Sequence, residues 1–428
     1  MKILFATEYY PPFAPGGSPW SIRLLAEALA GVGHEVTIVT PNWGAPEREQ
    51  TGPVTVVRFP LRRRLGRGAV LAPTRALVSP FFHLRFFRAI VGEARRCGAD
   101  VIHAQDKHAL VASYLAARRL GRAVFLTLRD VGLVCPIATC LLSHEFVPAD
   151  CSSLKLQREC AGFYLDRYVP GGPARRARVR LALALLYLDA RLKNHALRRL
   201  DGLIGVSAGL LEIYLRAGRG RRERAHVVYP PSPPPVDADV GAVDALRGRL
   251  GLGGKRTVLY VGKLSLGKGG PVFLEAVKRV ARVRADVAFV VAGPDDPGPA
   301  PPSADVRWLG RLDHGEMPAL YALADLVVVP SVGPEALSRV PLEAAAAARP
   351  TIGARAGGIP EEIVDGETGL LVPRGSADDL AVAILRLLDD DQLRVQLGRN
   401  ARATVADRFG TAAVARALLD VYAGALRR

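Results

Sequence analysis

The sequence predicts an α/β protein of two doubly wound domains facing each other across a cleft. Three observations predict it. Short runs of Val, Ile, Leu and Ala recur along the chain, each followed by a glycine- or proline-bearing loop and then a helical apolar pattern. That alternation is the βαβ rhythm of a parallel sheet. With 428 residues the chain exceeds one ordinary core and suits two domains of roughly 200 residues each. A stiff connector from Tyr229 to Pro235, carrying five prolines, separates two such alternations.

The first half opens on a strand over Lys2–Thr7, a loop through Pro11, Pro12 and Pro15-Gly16-Gly17, and a helix from about Ser18 to Val32. In that helix Ile22, Leu25, Ala26 and Leu29 fall on one face. Gly33-His34 stops it before a strand over Glu35–Thr40. A strand over Val101–Ala104 leads past Asp106 to a helix over Ala109–Arg118. A strand over Ala123–Leu128 follows, with Arg129-Asp130 at its carboxyl end, and Leu203–Ser207 reads as the last strand of this half.

After the connector a strand over Thr257–Val261 runs into Gly262-Lys263, and Lys268-Gly269-Gly270 opens a helix. A strand over Ala288–Ala292 ends at Gly293, and one over Leu326–Val329 stops at Pro330. Thr351-Ile352-Gly353 precedes Gly357-Gly358-Ile359-Pro360-Glu361, where the proline suits a first helical position. The last helix, about Thr411–Leu426, is amphipathic and is expected to pack back on the first domain. The predicted organisation is 1–235, 236–410 and a returning helix over 411–428.

The net charge is +17. Residues 1–235 hold 34 Lys and Arg against 17 Asp and Glu, while the remainder holds 24 of each. The excess gathers around Arg58, Arg62-Arg63-Arg64 and Arg67, around Arg85 and Arg88, and in Arg175, Arg176, Arg178 and Arg180. Such asymmetry points to an anionic partner: a membrane surface, a lipid phosphate or nucleic acid. The clusters lack the interleaved aromatic residues of a single-strand binder, and no nucleic acid is expected. No window of 18 uncharged apolar residues marks a membrane span, and Lys2 and Glu8 come too early for a signal peptide. A cytoplasmic location is expected, with the basic half against the inner face of the membrane.

Cys135, Cys140, Cys151 and Cys160 fall close together without a C-x-x-C pair, and read as packing or acceptor-site residues rather than a zinc site. Asp237 and Asp239 match a D-x-D pattern but sit in the connector, and Asp389–Asp391 lies at a helix end. Both read as solvated acids, and no metal is expected.

Chemistry concentrates in the second half. Glu335 lies in the loop after a buried strand, and Glu343 lies in the first turns of the next helix. Ligands of open α/β sheets bind at strand carboxyl ends, where a carboxylate can accept two hydrogen bonds from vicinal hydroxyls. Lys263 and Lys268, two of only eight lysines, flank a loop that precedes a helix. Two ammonium groups there suit a diphosphate. Gly16-Gly17 lets an anion or a sugar approach the main chain at another helix start. No G-x-x-x-x-G-K-[ST], HExxH or G-x-S-x-G motif is present.

Taken in order, these motifs resemble glycosyltransferase family 4. They are Pro15-Gly16-Gly17, Gly33-His34-Glu35-Val36, Val101-Ile102-His103, Val206-Ser207, Gly262-Lys263 with Lys268-Gly269, the Glu335–Glu343 pair, Gly357–Glu361, and Asp365-Gly366 with Gly369–Val372. The resemblance covers almost the whole chain. It implies a GT-B fold of two Rossmann-like domains and a retaining, metal-independent transfer from a UDP- or GDP-linked sugar, with no other cofactor. By that likeness Glu343 holds the ribose hydroxyls and Glu335 the donor sugar. Lys263 and Lys268 grip the diphosphate, and the backbone of Leu337 and Ser338 binds sugar or phosphate. Gly16 and Gly17 close the site from the acceptor domain. Gly262, Arg311 and Val340 complete the donor contacts, and Arg129 and Asp130, at the position of the family's His-Asp pair, join Glu335, Lys263 and Lys268 as the catalytic residues expected, with Arg129 expected to hold an anionic acceptor. The acceptor implied is lipid-linked or a polysaccharide.

Three departures from the family pattern stand out. Lys263 replaces the usual Arg and lacks its fork geometry. The loop reads Glu335-Ala336-Leu337-Ser338 rather than Glu-x-Phe-Gly, and Arg129-Asp130 replaces the usual His-Asp. Two other readings compete: a sugar-nucleotide epimerase of the same fold, and a nucleic-acid binder on a Rossmann-like scaffold.

Overall fold

The computed structural model describes residues 1–61, 77, 79–138, 140–142, 146–148, 151–235, 239–294 and 304–427. The chain forms two compact units, Met1–Pro231 with Thr411–Arg428, and Ser232–Gly410. The first division falls within the proline-rich connector, four residues before the expected 235.

The first unit carries β1 (Lys2–Ala6), β2 (Glu35–Pro41), β3 (Arg48–Thr51), β4 (Val54–Phe59), β5 (Val101–Ala104), β6 (Ala123–Leu128), β7 (Gly202–Gly205) and β8 (Ala225–Val227). They form one sheet in the order β3-β4-β2-β1-β5-β6-β7-β8. Every pairing is parallel except the β3/β4 hairpin. Ile3, Leu4, Phe5 and Ala6 are all buried, as befits a central parallel strand covered on both faces. Each large side chain so buried stabilises the fold by roughly 1.5–3 kcal/mol. The predicted face of the helix Gly17–Gly31 is the buried one, with Ile22, Leu25, Ala26 and Leu29 against the sheet.

Helix Thr411–Leu426 belongs to this unit, with Val414, Ala415, Leu418 and Tyr422 in the same core. Tyr422 meets His103 Nδ1 at 2.5 Å, while His103 Nε2 lies 2.8 Å from Thr127 Oγ1. Burial pushes the His103 imidazole down to about 3, so it sits neutral between two hydroxyls. By length and composition, Asp391–Leu426 is the one stretch among the described residues able to cross a membrane. Here its second part buries its apolar face in the core of the unit.

Three expectations need correction. Leu203–Ser207 does not end the sheet, because β8 follows as a three-residue edge strand too short to show alternation. The β3/β4 hairpin was not anticipated, since β3 reads Arg48-Glu49-Gln50-Thr51 and carries no apolar signal on its exposed edge. Arg58 is no surface cation: it is 2% exposed and donates to Glu49, Pro46 O and Pro11 O. The arginines at 62–64 and 67, and Asp237, lie outside the described residues. Among the cysteines, Cys135 and Cys160 pack with Ile137, Leu156 and Leu183 in a small apolar cluster.

The second unit carries β9 (Arg256–Val261), β10 (Val287–Ala292), β11 (Asp305–Gly310), β12 (Leu326–Val329), β13 (Thr351–Ala354) and β14 (Gly369–Val372). All pairings are parallel, in the order β11-β10-β9-β12-β13-β14. The chain builds outward from β9 to β11 and then resumes on the other side at β12. The order therefore reverses between β9 and β12, and the loops leaving those two strands flank the crevice where such sheets bind ligands. In the first unit the same reversal lies between β1 and β5.

Candidate active site

The loop after β9 is held at both ends. The Tyr260 hydroxyl lies 2.7 Å from Lys263 O and 3.2 Å from Lys268 O. Gly269 closes the loop at φ +73, and a Cβ there would stand 1.8 Å from Pro330 O at the end of β12. Only glycine allows this contact, which seats the Lys268 loop on its neighbour. Gly262 also takes a positive φ of +138. Helix Gly270–Ala281 then starts at the crevice with Pro271 in its first turn.

The loop after β12 brings the first carboxylate to this lysine. Lys268 Nζ donates to Glu335 Oε1 at 2.9 Å and to Oε2 at 2.7 Å, and Ser331 Oγ donates to Oε2 at 3.1 Å. The Glu335 side chain is 13% exposed and that of Lys268 45%. From behind, Gly358 N–H donates to Glu335 O at 2.8 Å, and a Cβ on Gly357 would meet that carbonyl at 1.8 Å. The glycine pair thus supports the acidic loop through close backbone contact.

Ser338 caps the helix Arg339–Ala346, accepting from Val340 N–H. Its own N–H, expected on the ligand, is donated instead to Glu362 Oε2 at 3.0 Å. Glu362 is 3% exposed. Burial raises its carboxyl well above the usual range, Glu335 and Glu361 push the same way, and the Ser338 N–H and Lys268 pull back. Glu343 lies on this helix, where Tyr321 O–H donates to its Oε2 at 2.7 Å and Arg339 Nε to its Oε1 at 3.0 Å. A carboxylate so held keeps acceptor sites for further hydroxyls. Val340 packs on the apolar cluster beneath, and Leu337 is half-buried ahead of the cap. Lys263 is exposed at the opposite end of its loop from Lys268. Arg311 is also exposed past the end of β11, two strands out from the reversal, and is not a partner of Lys268, Glu335 or Glu343.

The first unit gathers polar groups at its own reversal. Asp106 accepts from Glu8 N–H at 2.6 Å and from the N–H groups of His108 and Ala109 at 2.9 Å. Lys107 pairs with Asp130 at 2.9 Å, and Gly132 N–H donates to the same carboxylate. Burial works to raise Asp130, but Lys107 outweighs it and leaves the group below its ordinary value. Arg129 donates to Gln105 O at 2.9 Å and to Gln105 Oε1 at 2.7 Å, which fixes its guanidinium against β5. His108 Nε2 lies 3.5 Å from Glu8 Oε2. Burial pushes His108 down to about 3 and raises Glu8 well above the carboxylate range. Gly16 precedes the helix start in extended backbone, and a Cβ there would meet nothing within 4 Å. Packing alone does not require that glycine.

Sequence reasoning missed Tyr260, Tyr321, Ser331, Arg339 and Glu362. Tyr260 and Tyr321 gave no signal, because a phenol that ties down a loop has the same sequence pattern as one that fills space. Glu362 gave one signal, a charged residue where the short helix Ile359–Glu362 turns inward.

A cation and carboxylates gather at the strand reversal of one doubly wound unit, and the chain carries a second doubly wound unit. Residues 15–233 match the model for Glycosyltransferase Family 4, and residues 243–404 match that for Glycosyl transferases group 1. The chain belongs to glycosyltransferase family 4. It is 32% identical over 243 residues to the alpha-D-kanosaminyltransferase of Streptomyces kanamyceticus, a match covering 54% of this chain and 62% of that protein. The match therefore spans less than two thirds of that relative. Against the glycogen synthase of Mycobacterium tuberculosis identity is 26% over 451 aligned positions, covering 100% of this chain and 95% of that protein. In fold the chain is similar to Anabaena HepE, solved in complex with UDP-glucose: TM-score 0.66, 21% identity, 99% of this chain and 100% of that one.

Proposed function

We propose that the chain moves a sugar from a UDP- or GDP-linked donor to a lipid-linked or polysaccharide acceptor at the cytoplasmic membrane face, with retention and without a metal or other cofactor. The observation that carries this reading is the Lys268–Glu335–Ser331 cluster, built by two loops that meet at the β9/β12 reversal. An ammonium has three N–H donors. Two are on Glu335, so the third is left for a diphosphate oxygen. Glu335 would then take donor-sugar hydroxyls, and Glu343 the ribose hydroxyls. HepE, solved with UDP-glucose, supports a nucleotide sugar as the ligand class.

In the proposed step an acceptor hydroxyl forms the new bond to the anomeric carbon on the face from which the diphosphate departs. The anomeric C–O bond to phosphate breaks, and the hydroxyl proton passes to a phosphate oxygen of the leaving nucleoside diphosphate. The chain positions the reactants and neutralises the charge that grows on the leaving group. Arg129, fixed against Gln105, would serve an anionic acceptor.

Calorimetric titration of UDP, GDP, ADP and their nucleosides into wild type, Lys268→Ala and Glu343→Ala tests the donor site. One diphosphate should bind well above its nucleoside, and both variants should lose affinity. No binding by any nucleotide would sink the reading. Arg129→Ala should cut acceptor use far more than nucleotide binding, and equal loss of both would remove its acceptor role.

A further inference from the structure

Helix Pro173–Leu197 of the first unit is 25 residues long and carries a face that no core cluster among the described residues includes. Leu181, Leu185, Leu188 and Leu192 are 61%, 58%, 54% and 68% exposed. Steps of four, three and four residues set them in one line along the helix. The helix buries its opposite side, through Leu183, Ala190 and Leu197. One exposed leucine needs no explanation, but a continuous line of four marks an interaction surface. Arg175, Arg178 and Arg191 are exposed on the same helix, and Arg198 and Arg199 are exposed just past its end. Its only acid, Asp189, is taken by Lys193 at 2.6 Å. His83 of helix Pro80–Cys97 feels the charges of Lys193 and Asp189, which places this part of the helix near theirs. Helix Pro80–Cys97 adds exposed Phe81 and Leu84, followed by exposed Arg85 and Arg88.

We infer that this face docks on an anionic lipid bilayer, the leucines entering the boundary between headgroups and acyl chains and the arginines meeting lipid phosphates. A helix with an apolar stripe and cationic flanks lies in the plane of a membrane in this way, and long arginine side chains reach back to the headgroups. The same leucine spacing would serve a seam between two helices. A second copy is the poorer occupant, because in either orientation the arginines of one helix would face those of the other with no free acid to answer them. An anionic surface answers every one of them. The inference deepens the membrane part of the proposed function and rests on it only for location, since it holds whichever sugar is moved.

Flotation of the full chain with vesicles of phosphatidylcholine, alone or mixed with phosphatidylglycerol, tests it. Wild type should float with the mixed vesicles only, and less so at high salt. The double variant L185Q/L188Q should bind them about tenfold more weakly or worse, with its melting and nucleotide titration unchanged because both side chains are exposed. R178Q/R191Q should lose affinity and much of the salt sensitivity. Wild type that ignores anionic vesicles, or a leucine variant that binds them as wild type does, overturns the inference. So does light scattering that finds a wild-type dimer turned monomeric by L185Q/L188Q, which would assign the face to a second copy. Leucine-dependent vesicle binding supports it even if no nucleotide binds, an outcome that counts against the transferase reading alone.

Discussion

Replacing Glu362 by alanine and by glutamine separates a hydrogen bond from a charge at the heart of the donor loop. Its Oε2 accepts the Ser338 N–H at 3.0 Å, and its Oε1 is buried with no hydrogen-bond partner among the described residues. Glu362→Ala strands a buried N–H, at a cost of about 1–3 kcal/mol. It also removes a buried methylene, about 0.8 kcal/mol more. A unit of this size loses roughly 2–4 °C per kcal/mol, so melting of the second unit should fall by about 4–15 °C. Glu362→Gln keeps an acceptor oxygen for Ser338 and should stay within about 1 kcal/mol of wild type. The sign of the pH effect follows from the raised folded value. What the wild-type carboxyl contributes is fully present below its ordinary value of 4.5 and is lost as pH rises through the folded value. Glutamine lacks that loss, so its advantage over wild type should grow as pH rises from about 5 to about 8. Differential scanning calorimetry of the three proteins across that range is the assay. If glutamine destabilises as much as alanine at neutral pH, Glu362 is held as a carboxylate and the reasoning from burial fails.

Lys268→Ala should lower turnover by about 10²–10³-fold, the usual loss when one charge-stabilising donor is removed. It should change stability by no more than about 1 kcal/mol, since the pair is partly exposed; steady-state kinetics and melting curves check both. Gly269→Ala forces a Cβ into Pro330 O and a left-handed backbone that costs roughly 1–2 kcal/mol before any clash. It should abolish nucleotide binding by calorimetry, whereas Gly16→Ala meets no atom within 4 Å and should leave melting within about 0.5 kcal/mol. His103 should stay neutral well below pH 6.5 in nitrogen-detected NMR, titrating near 3. Because its folded value is depressed, the stability it contributes is present above 6.5 and lost as pH falls towards 3. Tyr422→Phe should cost about 1–3 kcal/mol by orphaning Nδ1 of His103.

The strands most legible in the sequence were those buried on both faces. Val101–Ala104, Ala123–Leu128 and Leu326–Val329 read from end to end as they fold, because a central parallel strand needs a largely apolar run, broken here only by His103 and Thr127. β3 and β8 escaped notice because edge strands owe their place to backbone pairing, which leaves no periodic mark on side chains. Glu335 and Glu343 were legible as residues on a loop and on the helix after it, since Pro330 and the apolar run before it set the strand end.

What the sequence determined by itself is the alternation of strand and helix, the two-unit organisation and the loops that carry charge. Those are matters of local pattern, spelled out in neighbouring residues. Which groups meet was decided by the tertiary structure alone. Strand order sets β9 beside β12, so Lys268 and Glu335, 67 residues apart, share a hydrogen bond. That packing hands the Ser338 N–H to Glu362, and in the first unit Arg58 meets Pro11 O and His103 meets Tyr422 across long stretches of chain. A side chain's burial and charge state depend on what the fold brings against it, and no local run of residues contains that information.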